Sequence, residues 1–151
     1  MTHDLVALEG IRALMADYIR FTDNGRIDDF AALFGSDGIF ILPDGGAHAG
    51  RAAIAALLNG HQTYFTAHPE AGPPGYLRHN LTTLSIELDG PDRARADSYF
   101  LSVTSERVDH WGKWTDELVC GADGKWRFAK RVVTTDGFDP DGWFAKSFSQ
   151  M

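Results

Sequence analysis

The chain has 151 residues, of which 44% are hydrophobic and 23% charged, as expected for one globular domain. Its 21 acidic and 14 basic side chains give a net charge of -7 without a basic cluster, so we expect no binding to nucleic acid or anionic membranes. The single cysteine, Cys120, excludes an internal disulfide. Because the sequence contains neither a secretory signal nor a long apolar run, we expect a cytoplasmic protein.

The first 34 residues have the apolar periodicity of helices. Apolar side chains recur there at steps of three and four residues, and Asn24-Gly25 divides the pattern into two helices. Turn residues at 35–38 precede a short buried strand predicted at 39–42. A third helix is predicted at 51–61.

The second half of the chain has the pattern of strands. Four strands, joined mainly by reverse turns, are predicted at 78–88, 93–106, 112–121 and 125–135. The proline-rich loop at 66–76 is apolar enough to act as a flap. The tail after Asp136 carries aromatic side chains that must cover an apolar surface: Phe138, Trp143, Phe144 and Phe148. Helices followed by antiparallel strands predict an α+β fold in a single domain spanning 1–151.

Five segments, in this order along the chain, are similar to those of one superfamily: 18–34, 37–42, 50–51, 78–82 and 123–128. The chain resembles the nuclear-transport-factor-2-like superfamily and, within it, the SnoaL-like group of polyketide cyclases, scytalone dehydratase and hexachlorocyclohexane dehydrochlorinase. This resemblance implies a cone-shaped barrel, in which a strongly curved mixed or antiparallel sheet and three N-terminal helices enclose an apolar cavity. It also implies a homo-oligomer packed through the open face of the sheet.

The same resemblance implies a proton-transfer pair formed by Asp23 and His79. Dehydratases and the dehydrochlorinase of this group use an aspartate at the end of the first helix and a histidine at the start of the first long strand. Helical geometry supports the placement of Asp23, because at about 100° per residue it shares the buried arc of Met15 and Ile19. His79 Nε2 would remove a proton while Asp23 holds Nδ1. A purely structural histidine bound to a helix-terminal aspartate has the same sequence pattern.

Two other branches of the superfamily fit less well. Ketosteroid isomerases carry their general base on the first strand just before a proline, where this chain has Leu42, which cannot abstract a proton. The paired aspartates of limonene-type epoxide hydrolases have no clear counterpart. Tyr18, one helical turn before Asp23, is either a donor to a substrate oxygen or a plain core tyrosine.

The strand at 93–106 alternates between charged and small or aromatic residues. Its uncharged positions are Ala94, Ala96, Ser98 and Phe100, and they predict an inner face with room for a ligand. We expect Arg131, near the end of the last strand, to reach the cavity as an anion clamp. The residues expected to contact the substrate are Phe40, Leu42, Ser98, Phe100 and Arg131.

The strand at 78–88 is apolar on both faces. By alternation His79, Leu81 and Thr83 share one face, whereas Leu84, Ile86 and Leu88 occupy the other. This pattern predicts that another subunit covers the outer face of the sheet, in a homodimer or homotrimer.

The remaining chemistry-bearing residues predict neither a metal nor a nucleotide cofactor. The histidines have no HxH or HExxH spacing, and 45–50 lacks the lysine and the strand-to-helix context of a phosphate-binding loop. His61, His68 and His110 lie near predicted loops, and we expect them to be solvated.

Together with the residue patterns, the resemblance implies a cofactor-independent lyase or isomerase of the dehydratase, dehydrohalogenase or cyclase type. Asp23 and His79 would abstract a proton from a small, apolar, cyclic substrate, with Tyr18 assisting. The alternative is a non-catalytic module, which would bind a small molecule or resemble the small subunit of ring-hydroxylating dioxygenases.

Overall fold

A computed structural model of the protein describes residues 2–147. Four α-helices precede, interrupt or follow the strands: α1 (Thr2–Asp23), α2 (Ile27–Ala32), α3 (Arg51–Ala67) and α4 (Trp143–Lys146). A short 3₁₀ helix (Pro69–Ala71) follows α3. The six strands are β1 (Phe34–Ile41), β2 (Ala47–Ala49), β3 (Arg78–Leu88), β4 (Arg93–Val103), β5 (Val108–Cys120) and β6 (Trp126–Phe138). They form one mixed sheet in the order β2-β1-β6-β5-β4-β3, in which β1 and β6 are parallel and all other neighbours antiparallel. The predicted α+β class is confirmed, whereas the predicted cone-shaped curvature stays a prediction.

The core lies between α1 and one face of the sheet. Helix α1 buries the residues spaced three and four apart along one side, namely Ala7, Ile11, Leu14, Met15 and Tyr18. On the sheet, the alternation predicted for β4 is confirmed, because its uncharged positions from Ala94 to Phe100 are buried and the intervening ones exposed. Complete burial of each large apolar side chain contributes about 1.5–3 kcal/mol to folding.

The start of the sheet differs from the sequence prediction. Strand β1 begins at Phe34, so that the predicted turn at 35–38 lies inside the strand, where its register against β6 shifts between Phe34 and Ile39. A Cβ on Gly38 would lie 2.8 Å from the carbonyl oxygen of Phe128, and therefore only glycine fits this close approach. Strand β2 was not predicted, because three residues are too short to display an alternation.

A bulge in β3 corrects the prediction of two apolar faces. Thr82 pairs with Tyr99 and Ser85 with Asp97, so that β3 has one residue more than β4 at this point. Thr83 accommodates the extra residue with a φ of 51°. The bulge inverts the alternation and brings Leu84, Ile86 and Leu88 to the core side, where His79 and Leu81 also lie. The homo-oligomer itself stays a prediction.

The C-terminal tail covers the open end of the core, as predicted. Trp143 and Phe144 of the short helix α4 line the cavity described below, and Trp143 Nε1 donates a hydrogen bond to the carbonyl of Ala71 at 2.7 Å. Phe148, also predicted to be part of this cover, lies outside the described residues. Within 2–147, no helix is both long and apolar enough to cross a membrane.

Candidate active site

A cavity of about 370 Å³ lies between the helices and the inner face of the sheet. Its size is within the range of small-molecule sites. Most of its lining is aromatic or aliphatic, contributed by α1, α2, α3, β1 and the tail. Its polar side chains are few: Thr22, His61, Gln62, His79, His110 and Thr135, together with the phenol of Tyr18.

Asp23 and His79 are in direct contact at one end of this cavity. Asp23 is the last residue of α1 and His79 the second residue of β3, and Asp23 Oδ1 lies 2.6 Å from His79 Nδ1. The carboxylate also accepts the backbone N–H of His79, at 3.2 Å from Oδ2. The side chains are 5% and 14% exposed, respectively. Because a carboxylate only accepts hydrogen bonds, it keeps the proton on Nδ1 and leaves Nε2 as the basic nitrogen.

A second carboxylate–imidazole pair, Asp109 and His110, places its imidazole on the wall of the same cavity. Asp109 Oδ2 lies 2.8 Å from His110 Nδ1, and the residues are 0% and 7% exposed. The prediction that His110 is solvated is therefore wrong. Burial lowers the pKa of His110, and the hydrogen bond to Asp109 offsets this effect only in part. The imidazole is consequently neutral at pH 7.

A bulge explains why these two adjacent residues are both buried. Ser102 pairs with His110 and Val103 with Val108, so that Asp109 is an extra residue on β5. Simple alternation would turn Asp109 and His110 to opposite faces of the sheet, and nothing in the sequence distinguishes Asp109 as a bulged residue. The adjacency of an aspartate and a histidine in the sequence was the feature from which this second pair could have been predicted.

The two histidines lie on one row of the sheet, separated by a single strand. His79 pairs with Ser102, and Ser102 pairs with His110 on its other side. The imidazole centroids are 6.2 Å apart and nearly perpendicular, at 84°. Ser102 is completely buried between them, and both imidazoles line the cavity. Two nitrogen bases therefore face one small apolar volume.

Tyr18 brings a phenol to the same volume. It is 5% exposed, and its ring packs against Phe30 and Trp114 at centroid distances of 5.0 and 5.1 Å. Burial raises the pKa of the phenol more than the nearby Arg131 guanidinium lowers it. Tyr18 therefore stays protonated at neutral pH and is available as a hydrogen-bond donor. Phe40, Leu42 and Phe100 also line the cavity, which is where their predicted role requires them.

Ser98 and Arg131 are outside the cavity lining, which corrects their predicted placement. Ser98 lies opposite Trp114 and is 3% exposed. Arg131 lies within β6 rather than near its end, because the strand continues to Phe138. Its guanidinium is completely buried and donates to both carboxylate oxygens of Asp116, at 2.7 and 2.6 Å. Arg131 is thus engaged in a core ion pair instead of an anion clamp.

His61, predicted at the end of the third helix and expected to be solvated, is a further lining residue of the cavity. Helix α3 continues to Ala67, so that His61 lies inside the helix and faces the cavity. Burial, and secondarily the nearby His48, lowers the pKa of His61. His68, in contrast, is 53% exposed beside Glu70, as expected for a solvated histidine.

Comparison with known proteins relates this architecture to several solved structures and to one domain family. The chain is similar to a putative scytalone dehydratase from Novosphingobium aromaticivorans, with 26% identity and a TM-score of 0.75 over 92% of this chain and 91% of the relative. It is similar to a Catenulispora acidiphila protein solved in complex with S-DNPA, with 28% identity and a TM-score of 0.71 over 86% and 93% of the two chains.

A third structure, LinA, shares the fold at 22% identity, with a TM-score of 0.75 over 92% of each chain. Comparison with curated proteins finds no significant match. Residues 4–132, most of the chain, match the SnoaL-like domain. The protein therefore belongs to the SnoaL-like domain family.

Proposed function

We propose that the protein is a cofactor-independent lyase or isomerase that removes a proton from a small cyclic carbonyl compound. The observation that carries this proposal is the Asp23 and His79 pair, which presents a basic imidazole nitrogen to an apolar cavity. The similarity to a putative scytalone dehydratase supports the same reaction class. Positioned general bases of this kind typically accelerate proton transfer by roughly 10²- to 10⁴-fold.

In the proposed dehydration, His79 Nε2 takes a proton from the carbon next to the carbonyl. Asp23 stabilises the imidazolium that forms, and the apolar surroundings strengthen this interaction. The imidazolium then returns the proton to the hydroxyl group on the neighbouring carbon. One C–H and one C–O bond break, a C=C bond forms, and water leaves, so that His79 ends in its starting state.

The other polar groups of the cavity have complementary roles in this scheme. The protonated Tyr18 phenol donates to the substrate carbonyl, where negative charge develops. The neutral His110, whose Nδ1 proton is held by Asp109, has a free lone pair on Nε2 and accepts a hydrogen bond from the substrate hydroxyl. The aromatic lining favours a flat, largely apolar ring system.

A small-molecule-binding protein without catalysis is the second candidate function. The apolar lining would hold a ligand whether or not His79 transfers a proton, and the Catenulispora acidiphila relative is solved in complex with S-DNPA. Such a protein would retain ligand affinity when Asp23 is replaced by asparagine.

The deciding experiment follows proton removal directly. β-Tetralone, a small bicyclic ketone with acidic carbon-bound protons, is incubated with the protein in deuterated buffer, and its proton signals are followed by NMR. We expect exchange to be accelerated by the native chain, and His79→Ala and Asp23→Asn to lose about 10²-fold or more of that acceleration. His68→Ala, a change at an exposed histidine, is the matched control.

The same proteins are then assayed with β-hydroxy-α-tetralone, which yields α-naphthol on dehydration. Product formation separates a lyase from an isomerase. Equal exchange in the native protein and the His79→Ala variant, with both equally stable, would contradict the proposal. Binding of β-tetralone without any exchange would establish the second candidate.

We also propose that a second copy of the chain covers the outer face of the sheet. Tyr99 and Trp111, on neighbouring strands, are 53% and 41% exposed there. They line a shallow groove together with Thr82, Leu101, Val108 and Asp136. Large exposed aromatic side chains in one patch are typical of protein–protein interfaces.

A further inference from the structure

The end of the described chain forms a roof over the cavity. This roof segment, residues 139–147, places Trp143 and Phe144 on the cavity wall. The ring of Phe144 stacks on the imidazole of His110, with centroids 4.6 Å apart and planes inclined by 26°. Trp143 Nε1 donates to the carbonyl of Ala71, the last residue of the 3₁₀ helix that follows α3. The roof is therefore in contact with a proposed substrate-binding histidine.

A single carboxylate holds both the roof and that histidine. Asp109 Oδ1 accepts the backbone N–H of Trp143 at 2.5 Å, and Oδ2 accepts the backbone N–H of Phe144 at 3.1 Å. Oδ2 also accepts Nδ1–H of His110 at 2.8 Å. The backbone carbonyl of Asp109 accepts the N–H of Asp139, which fixes the beginning of the roof segment. Asp109 is completely buried, so each of these donors replaces water.

Burial makes these hydrogen bonds depend on one another. A carboxylate removed from water loses much of its solvation free energy, and its hydrogen bonds must compensate for that loss. If the roof lifts, Asp109 loses the N–H groups of Trp143 and Phe144 and becomes accessible to water. The hydrogen bond that fixes the proton on His110 Nδ1 is then weakened. By thermodynamic reciprocity, loss of the His110 contact weakens the attachment of the roof.

We propose that Asp109 is a positioning residue that couples closure of the roof segment to the tautomer and orientation of His110. With the roof closed, Nδ1 carries the proton and Nε2 is free for the substrate hydroxyl. With the roof open, His110 loses this constraint. The charged and titratable groups around this link are His79, whose ring faces His110, and Arg107, which pairs with Asp139 at 3.2 Å. The assignment of His110 to the substrate rests on the proposed function, whereas the coupling itself does not.

The first test disturbs the roof and observes the histidine. A Cβ on Gly142 would lie 2.6 Å from Asp109 Oδ1 and 3.0 Å from the carbonyl oxygen of Asp139. Gly142→Ala therefore pushes the roof from Asp109 without changing a charge. We expect faster amide exchange at Trp143 and Phe144, together with altered imidazole ¹⁵N shifts of His110 that indicate a mixture of tautomers. Gly60→Ala is the matched control, because a Cβ at Gly60 would have no atom within 4 Å.

The second test disturbs the histidine and observes the roof. His110→Phe keeps an aromatic ring against Phe144 but removes the donor to Asp109. We expect amide exchange at Trp143 and Phe144 to become about tenfold faster, as for the loss of one charge-assisted hydrogen bond. His68→Phe is the control. If Gly142→Ala does not displace the roof or does not fold, the His110→Phe measurement tests the coupling on its own.

The proposal would be overturned if either variant changed only the group that the substitution directly disturbs. A faster-exchanging roof with unchanged His110 ring shifts in Gly142→Ala, or unchanged roof exchange in His110→Phe, would show that Asp109 holds two independent contacts. Both measurements are made without substrate. Coupling without turnover would therefore contradict only the proposed function, and turnover without coupling only this inference.

Discussion

The guanidinium of Arg131 lies over the ring of Tyr18, with its central carbon 4.0 Å from the ring centroid. The same guanidinium lies 4.5 Å from the ring of Trp114 and 4.2 Å from that of Phe128. Tyr18 and Trp114 face the cavity on their other sides. The buried ion pair of Arg131 and Asp116 therefore supports the cavity wall from behind.

Replacing one member of this ion pair should destabilise the protein strongly. Arg131→Met leaves the Asp116 carboxylate buried and uncompensated, and we expect a loss of about 3–5 kcal/mol in the free energy of unfolding by urea. The double variant Arg131→Met with Asp116→Leu should recover most of this loss, because it removes both charges. A single variant as stable as the native protein would contradict a core role for Arg131.

The phenol of Tyr18 should contribute to turnover more than to stability. Tyr18→Phe keeps the ring contacts and removes the hydroxyl, which is the donor proposed to polarise the carbonyl and also interacts with the Arg131 guanidinium. We expect kcat for β-hydroxy-α-tetralone to fall by roughly 10²-fold, as for the loss of one oxyanion donor. The free energy of unfolding should change by about 1 kcal/mol or less. Unchanged kcat would identify Tyr18 as a plain core tyrosine.

Stability should decrease as the pH falls through the range in which unfolded histidine takes up a proton. Burial lowers the folded-state pKa values of His110 and His61 below the ordinary value of 6.5. As the pH falls through the ordinary pKa of histidine, the unfolded chain binds more protons than the folded one. The free energy of unfolding therefore falls. Each histidine contributes a slope of at most about 1.4 kcal/mol per pH unit.

Urea unfolding of the native protein and of His110→Phe, measured from neutral to mildly acidic pH, tests this expectation. The variant should have a shallower decrease, because one of the two histidines no longer titrates. Parallel stability profiles for the two proteins would show that His110 does not bind protons differently in the folded and unfolded states.

The outer sheet face should govern oligomerisation. We expect the native chain to elute as a homo-oligomer in size-exclusion chromatography with light scattering, and Trp111→Glu to shift it towards the monomer, because a carboxylate is unfavourable at a buried interface. Val6→Glu, which adds a carboxylate at an exposed apolar residue of α1 and so outside the outer sheet face, is the control. A monomeric native protein at high concentration would contradict the proposed second copy.

Much of this fold could be predicted because the spacing of apolar residues along a helix or strand indicates which side chains are buried. The bounds of β3 agree with the prediction, and the alternation of charged and uncharged residues along β4 identified the residues on its inner face. Asp23 and His79 are in contact, as the resemblance implied. Their roles in proton transfer stay predictions.

The misplaced residues share a physical cause: their positions depend on register, which a single sequence does not determine. Arg131 was predicted near the end of the last strand, but β6 continues to Phe138 and the pairing with β5 sets Arg131 beside Asp116. The strand predicted from 112 leaves His110 in the preceding loop, whereas β5 begins at Val108 and so includes it. Asp109 enters the core only through a bulge, and no residue type marks a bulge reliably.

Because of the bulge at Thr83, the effect of an insertion or deletion depends on where in β3 it falls. Deleting any one residue between Leu81 and Leu84 would restore simple alternation with β4. One part of the strand would then have to turn over, exposing either His79 or the row of Leu84, Ile86 and Leu88. The length of this segment is therefore as constrained as its composition, and a shortened relative would need a compensating change in β4 to keep both the basic nitrogen and the apolar wall.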